Sequence, residues 1–235
     1  MSSPKSSSGH SACEIGKYQQ NLVKQAIHYG DLTGGAFDIS VKPLLDLYQT
    51  GTRDVQGTLS LVDYRQIRVG HNAIVFDRPG MSITLDSIAK GRVVDAATAV
   101  LKSNGVDNIL VEAGGDLAGY GHRADGSPWR VGLANPRRPG QPNILSVLPV
   151  QGQAVATSGD YMNSFTNDFR LHHIIDPRTG ISPADLASVT VVAPSATQAD
   201  ALSTALMVMG SAAGLTLVNR LSGVEALLIT KELQA

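Results

Sequence analysis

The chain has 235 residues, enough for one domain or two intimately joined lobes with a substantial core. Hydrophobic residues make up 43% and charged residues 17%, a globular balance, and the formal net charge of −1 supplies no basic field for nucleic acid or an anionic membrane. The single cysteine, Cys13, excludes an internal disulfide framework and a cysteine-based zinc site. Residues 1 to 13 read as a disordered N-terminal segment, rich in serine and without the apolar core of a secretory signal. No hydrophobic stretch precedes Cys13, which argues against a lipid anchor there, and no run approaches the ~18 apolar residues expected of a transmembrane segment. Either the protein stays in the compartment where it is made or a targeting signal has been removed.

From Glu14 the spacing of Ile15, Tyr18, Leu22, Val23, Ala26 and Ile27 predicts one helical face, closed by Gly30. Gly34 to Ile39 makes a flexible turn into an extended piece, and Pro43 opens a second helix carrying Leu44, Leu45, Leu47 and Tyr48. Residues 51 to 65 carry only a weak pattern. Ile67–Val69 and Ala73–Phe76 read as strands. After the turn Asp77-Arg78-Pro79-Gly80, the alternation of Met81, Ile83 and Leu85 predicts a third strand and so a β-meander.

A helix begins near Ser87-Ile88-Ala89-Lys90-Gly91, with Val93, Val94, Ala97, Val100 and Leu101 as its buried face and Asn104-Gly105 as its end. The strand Asn108–Glu112 then runs into Ala113-Gly114-Gly115-Asp116, which reads equally as a plain turn and as a cradle that lets a phosphate or sugar approach the backbone. Further strands are expected at Trp129–Leu133, Ile144–Val150, Val189–Ala193 and Ala226–Ile229, with a loop over 136–142 and helices over Asp200–Met209 and Ala213–Leu221. Runs of strands interrupted by a few helices indicate an α+β fold with mixed, mostly antiparallel sheets and packed helices.

The stretch from Val155 to Gly180 concentrates chemistry. Val155-Ala156 lead into Thr157-Ser158-Gly159-Asp160-Tyr161, and an extended run His172-His173-Ile174-Ile175 leads into Asp176-Pro177-Arg178-Thr179-Gly180. These are turn residues in their own right, and they are also the hydroxyls, carboxylates and imidazoles that sites place at strand ends. Adjacent histidines in an extended run face opposite sides, so only one of them can serve a given site. Asp200 and Thr204 are four apart and share a helical face. Their oxygens suit Mg²⁺, although an aspartate near a helix start is also favoured by the dipole alone. Lys90 at a helix start can meet an anion, or can simply be exposed.

Four separated segments resemble the ApbE family of FAD:protein FMN transferases. They are Gly35-Ala36-Phe37-Asp38-Ile39 with Pro43-Leu44; Ile88-Ala89-Lys90-Gly91 through Asp95 to Gly114-Gly115-Asp116; Ala156 to Tyr161 with His173 to Gly180; and Ala199-Asp200-Ala201-Leu202-Ser203-Thr204-Ala205. The resemblance implies a single compact ApbE-like, T-fold-related domain over 14–235. It implies Mg²⁺-dependent transfer of FMN from FAD, with loss of AMP, to a threonine or serine hydroxyl of a target flavoprotein of the respiratory or electron-transfer type. It implies Asp200, Thr204 and a carbonyl near Ser87 as metal ligands, and His173 as the base. Lys90, Gly114, Gly115, Asp116, Ser158, Gly159, Tyr161, Asp176 and Thr179 would line the flavin nucleotide. Two rival readings stay open, a hydrolase giving FMN and AMP and a truncated, non-catalytic flavin binder. The family resemblance points to the periplasm or the outer face of the inner membrane, and the lack of a signal in this chain leaves the cytoplasm open. The chain departs from the family pattern twice. It is short at the N-terminus, without the family's Met-Gly-Thr strand, and Thr84-Leu85-Asp86-Ser87 replaces the family's Asp-Leu-Gly-Gly.

Overall fold

The computed structural model describes residues 11–51, 54–138 and 143–233. They fall into two compact units, one formed by residues up to Leu85 with Ile175–Ile181, the other by Asp86–Ile174 with Ser182 onward.

The first unit is built on a three-stranded antiparallel sheet in which β3 (Ala73–Phe76) lies between β1 (Ser11–Glu14) and β2 (Ile67–Val69). The third strand of this sheet is therefore not residues 81–85, which form no strand. Alternation there reports half-burial only, and Thr84 N–H donates to the Ile39 carbonyl instead of to a ladder. The expected disordered segment lies mostly outside the described residues, but residues 11–13 belong to β1.

The first helix, α1 (Lys17–Leu32), buries Leu22, Val23 and Ala26 as its spacing predicts. It runs past Gly30, because that glycine serves a close approach and not an end: a Cβ there would lie 2.8 Å from the Tyr64 ring. The helix closes two residues later, at the Thr33 cap, with Gly34 and Gly35 at positive φ beyond it. Asp38 then accepts from Ser40 N–H (2.7 Å), Ser40 Oγ–H (2.6 Å) and Tyr64 N–H (3.0 Å), and burial raises its pKa in spite of these bonds. The helix α2 (Lys42–Thr50) has Pro43 in its first turn and Gly51 in the left-handed conformation beyond it. The weakly patterned stretch that follows contains a short helix, α3 (Val55–Leu59), capped by the Asp54 carboxylate. In the same unit, Tyr48 Oη–H donates to the Gly180 carbonyl at 2.7 Å, which holds the turn at 176–180.

The second unit is a five-stranded antiparallel sheet in the order β10-β9-β8-β5-β4. Its strands are β4 (Ile109–Ala113), β5 (Asp116–Tyr120), β8 (Gln153–Gly159), β9 (Leu186–Ala193) and β10 (Glu225–Thr230). A separate two-stranded ribbon joins β6 (Trp129–Ala134) to β7 (Ile144–Val150). Val150, with Trp129, Val131 and Leu148 of the ribbon, packs on Leu117 and Val155 of the sheet. The helix α4 (Ala89–Ser103) and the start of α5 (Ala196–Val218) cover Ala118 and Ala154 through Val94 and Ala196. Being covered on both faces explains why β9 reads as a nearly continuous apolar run.

By length and composition α5 could cross a membrane, but half of its apolar window is buried inside this unit, against β8 and β9. It joins the two helices expected over 200–221 through a kink at Gly210 (φ 76), where Ser211 N–H donates to the Asp185 carboxylate at 2.6 Å. The buried face of α4 is only partly the one expected: Val94 is buried as predicted, but Val93 and Val100 are not. Gly91, Val94 and Thr98 point inward, while Val93 and Val100 are 56% and 60% exposed. The cause is the crossing with α5: a Cβ on Gly91 would lie 2.2 Å from the Ala196 carbonyl oxygen. Gly91→Ala is expected to force the two helices apart and to cost about 1–3 kcal/mol of stability, read as a lower denaturant midpoint.

Candidate functional site

The α4–α5 crossing sets two helix starts side by side, and the site grows from them. Asp95 on α4 accepts from the N–H groups of Ala196 (2.8 Å) and Thr197 (2.9 Å), so it caps α5 from outside. In return Asp200, one turn into α5, accepts from Gly91 N–H at 3.0 Å in the first turn of α4. Asp116 reaches the same place from the β4–β5 hairpin. Gly114 and Gly115 make that tight turn with φ of 60° and 95°, and Ala113 pairs with Asp116 across it. The Glu112 carboxylate accepts from Gly115 N–H at 2.7 Å and holds the turn closed.

Lys90 joins the two aspartates. Its Nζ–H donates to Asp116 Oδ2 at 2.6 Å and to Asp200 Oδ1 at 3.4 Å. Asp116 and Asp200 are 1% and 3% exposed, whereas the Lys90 side chain is 44% exposed and can also reach a ligand. Burial and the neighbouring Asp200 carboxylate push the Asp116 pKa up to about 7, and Lys90 only partly offsets this. Burial raises Asp200 as well, against the pull of Lys90 and Gly91 N–H. For Lys90, burial acts downward, but the Asp200 and Asp116 carboxylates outweigh it and raise its pKa. Two buried carboxylates thus share one ammonium, and the cluster is short of positive charge.

That imbalance gives a stability test in protein free of divalent metal. Asp116 titrates well above its unfolded value, so the native state binds the extra proton between about pH 4 and pH 7 and stability contributed by this group falls as pH rises through that window. Asp116→Asn removes the effect. Relative to the parent, the variant is expected to gain melting temperature at pH 7.5 (~pH above the shifted value) and to lose that gain near pH 5 (~within the window). A difference in melting temperature that does not change with pH would contradict the charge assignment.

Hydroxyls extend the cluster. Ser158, near the end of β8, has Oγ 2.8 Å from Ser203 Oγ and 3.1 Å from Thr204 Oγ1. Ser203 Oγ–H also donates to the Asp200 carbonyl at 2.9 Å. Gly159 leaves room for the Tyr161 ring, which a Cβ would meet at 2.4 Å, and burial raises the Tyr161 pKa. Ser87 sits half-buried in the turn that leads to the Ile88 cap of α4. Among the described residues no three His, Cys, Asp or Glu side chains form a metal-holding group. The candidate donors are hard oxygens: the Asp200 carboxylate, the Thr204 hydroxyl one turn on along α5, and the backbone before α4, whose first turn meets Asp200 through Gly91 N–H. Together with the charge deficit, that set fits Mg²⁺.

The two histidines separate clearly. The segment 172–175 is not a strand; His172 makes one isolated bridge with Ser164. Its imidazole is completely buried, its backbone is clasped by Ser182 Oγ at 2.9 and 2.8 Å, and burial lowers its pKa to about 4. His173 is half-buried, and its N–H donates to the Asn163 carbonyl at 2.9 Å. Burial lowers its pKa too, and it feels both the Asp86 carboxylate and the Lys90 ammonium, which places it in the electrostatic field of the cluster. Its Nδ1 is buried without a hydrogen-bond partner.

Asp176 and Thr179 belong to the first unit, where they are used locally. Arg178 donates to the Asp176 carboxylate at 2.8 and 2.7 Å, and Thr179 Oγ1 accepts from Ile181 N–H at 3.3 Å. Sequence reasoning quoted Asp95 only as a motif position and missed its role as the cap that aligns the helix starts. Its signal was a carboxylate next to Val94 on the apolar side of α4.

A family model described as the ApbE family matches residues 5–228. The FAD:protein FMN transferase of Vibrio cholerae is 35% identical over 89% of this chain and 66% of that protein. Its counterpart in Salmonella typhimurium is 31% identical over 93% of this chain and 66% of that protein. Among solved structures, the ApbE protein of Thermotoga maritima aligns with a TM-score of 0.85 at 32% identity, over 95% of this chain and 76% of that one. The apo flavinyl transferase ApbE of Pseudomonas stutzeri aligns with a TM-score of 0.82 at 32% identity, over 95% of this chain and 72% of that one. The chain spans just under two thirds of the length of these curated relatives, at 66%.

Proposed function

The chain belongs to the ApbE family, and from that premise we propose that it transfers FMN from FAD to a threonine or serine hydroxyl of a target flavoprotein, releasing AMP, with Mg²⁺. The observation that carries the reading is the Lys90–Asp116–Asp200 cluster, two buried carboxylates with one built-in cation whose field reaches His173. Asp200, Thr204 and the backbone at Ser87 would hold Mg²⁺, which when bound supplies charge stabilisation for the pyrophosphate oxygens. Lys90 is exposed enough to donate to a phosphate oxygen while another of its three N–H groups stays on Asp116. Ser158 and Tyr161 supply neutral donors to orient the nucleotide.

His173 takes the proton of the acceptor hydroxyl as its oxygen forms a bond to the FMN phosphorus and the bond to the AMP oxygen breaks. Burial keeps that imidazole neutral at physiological pH, the form a base needs. Positioning and charge stabilisation carry most of such a reaction.

The test incubates the protein with FAD and Mg²⁺, with and without an acceptor flavoprotein subunit, and follows the mass of the acceptor and the release of AMP. Covalent FMN on an acceptor hydroxyl, stoichiometric with AMP, is the expected outcome. Free FMN and AMP with an unlabelled acceptor would replace the transferase by a hydrolase. Tight FAD binding without turnover at any Mg²⁺ concentration would leave only a flavin binder.

A further inference from the structure

The segment that carries His173 leaves β8 at Asp160 and folds back on itself, with Phe165 N–H donating to the Leu171 carbonyl at 2.7 Å and His173 N–H to Asn163. No regular strand or helix holds it. What holds it is a buried charge cluster outside the site described above. The Asp160 carboxylate is fully buried and takes both arms of the Arg137 guanidinium, at 2.7 and 3.0 Å. Lys231 Nζ lies 3.5 Å from the same carboxylate and donates to the Phe169 carbonyl at 2.9 Å. The Arg137 guanidinium also stacks over the Phe169 ring, 5.0 Å from its centroid, and Phe169 sits at φ 57, a conformation that costs a bulky residue energy.

We propose that Asp160, Arg137 and Lys231 are positioning residues that pin the root and the tip of this loop and so fix where His173 stands. The inference rests on the flavin-transfer reading for its consequence in rate, but its geometry stands without it. Two chain segments distant in sequence, at Arg137 and Lys231, are brought to one carboxylate, which a fold seeking stability alone achieves more cheaply with apolar packing. Arg137 is itself held, since its N–H donates to Asn135 Oδ1 at 2.9 Å in the turn after β6. Lys231 N–H likewise donates to the Asp185 carbonyl at 3.1 Å, so both cations stand on hydrogen-bonded backbone, and a proton acceptor on an otherwise irregular loop needs such anchors.

Two measurements on the full chain test this: kcat and KM for FAD in FMN transfer, and the rate at which diethyl pyrocarbonate modifies His173 in the resting protein, located by mass spectrometry. Arg137→Met and Lys231→Met are expected to lower kcat about 10²-fold with KM for FAD little changed, as a displaced catalytic group does. Both are also expected to speed modification of His173. Arg137→Lys keeps the charge without the fork and is expected to recover part of both effects. If Arg137→Met does not fold, Lys231→Met decides, since it deletes only one long contact and one bond to a carbonyl. Unchanged His173 reactivity in folded variants overturns the proposal, whatever the rate. Faster modification supports it even in a protein that shows no transfer, so the two readings fail separately.

Discussion

Replacing Asp200 by alanine is expected to abolish FMN transfer at every Mg²⁺ concentration while the protein stays folded. Asp200 is the only carboxylate among the proposed ligands; without it a hydroxyl and a carbonyl remain, and neutral oxygens hold Mg²⁺ poorly. The fold should survive because the side chain is a charge liability in the absence of metal. Burial raises its pKa, and its charge raises that of Asp116 in turn. Deleting it leaves Lys90 paired with Asp116 at 2.6 Å and removes a carboxylate–carboxylate repulsion. The losses on the other side are the acceptor of the buried Gly91 N–H, worth about 1–3 kcal/mol, and the longer 3.4 Å bond from Lys90. Thr204→Ala should be milder, since water can take the place of a neutral ligand. Transfer rates over a Mg²⁺ titration, with melting temperature as the control for folding, check both variants. A near-parental rate for Asp200→Ala at saturating Mg²⁺ would remove Asp200 from the metal site.

Much of this architecture was legible in the sequence, and the exceptions have physical causes. Strands and helices with a strong apolar period, such as α1 and β9, form close to where the pattern places them, although α1 starts only at Lys17, because Glu14 pairs in β1, and runs past Gly30. The third strand at 81–85 failed because alternation says nothing about a partner. β3 found its second neighbour in Ser11–Glu14, far back in the chain and within a stretch with no strand signal. The inner face of α4 was misread because hydrophobicity pointed to Val93 and Val100, whereas the crossing with α5 is decided by the absence of a side chain at Gly91. Lys90, Asp116 and Asp200 were readable as candidates because each stands in a short motif with glycine or a helix start beside it. Their mutual bonds were not, since strand pairing and helix crossing together create them. The Asp160 clamp was less legible still. Asp160 lay inside a quoted motif, but Arg137 and Lys231 stand on turns, each next to another charged residue, and charges on turns read as solvated surface.

His173→Ala is expected to lower FMN transfer by roughly 10²–10⁴-fold, as the loss of a general base does, with FAD binding retained. His172→Ala is expected to act on stability instead. Adjacency once made the two hard to separate, but their surroundings differ. His172 is completely buried and held near a neutral state far below its ordinary range, at about 4. Removing its ring leaves a cavity, and truncations of large buried side chains cost about 2–5 kcal/mol. His173 is partly open and lies in the field of Lys90 and Asp86. Of these two charges, Lys90 favours the neutral imidazole and Asp86 opposes it, while burial, the largest influence, favours it. The base form should therefore persist below the ordinary histidine range, and the transfer rate should fall only as pH drops through that lowered value. A pH profile of kcat at saturating FAD and Mg²⁺ should place its acid limb below ~6.5, the unperturbed value. His173→Ala should lose that limb along with the rate. His172→Ala, assayed below its reduced melting temperature, should keep both. A severe loss in folded His172→Ala beside an active His173→Ala would reverse the assignment, and an acid limb above the ordinary histidine range would show that burial does not set the state of the base.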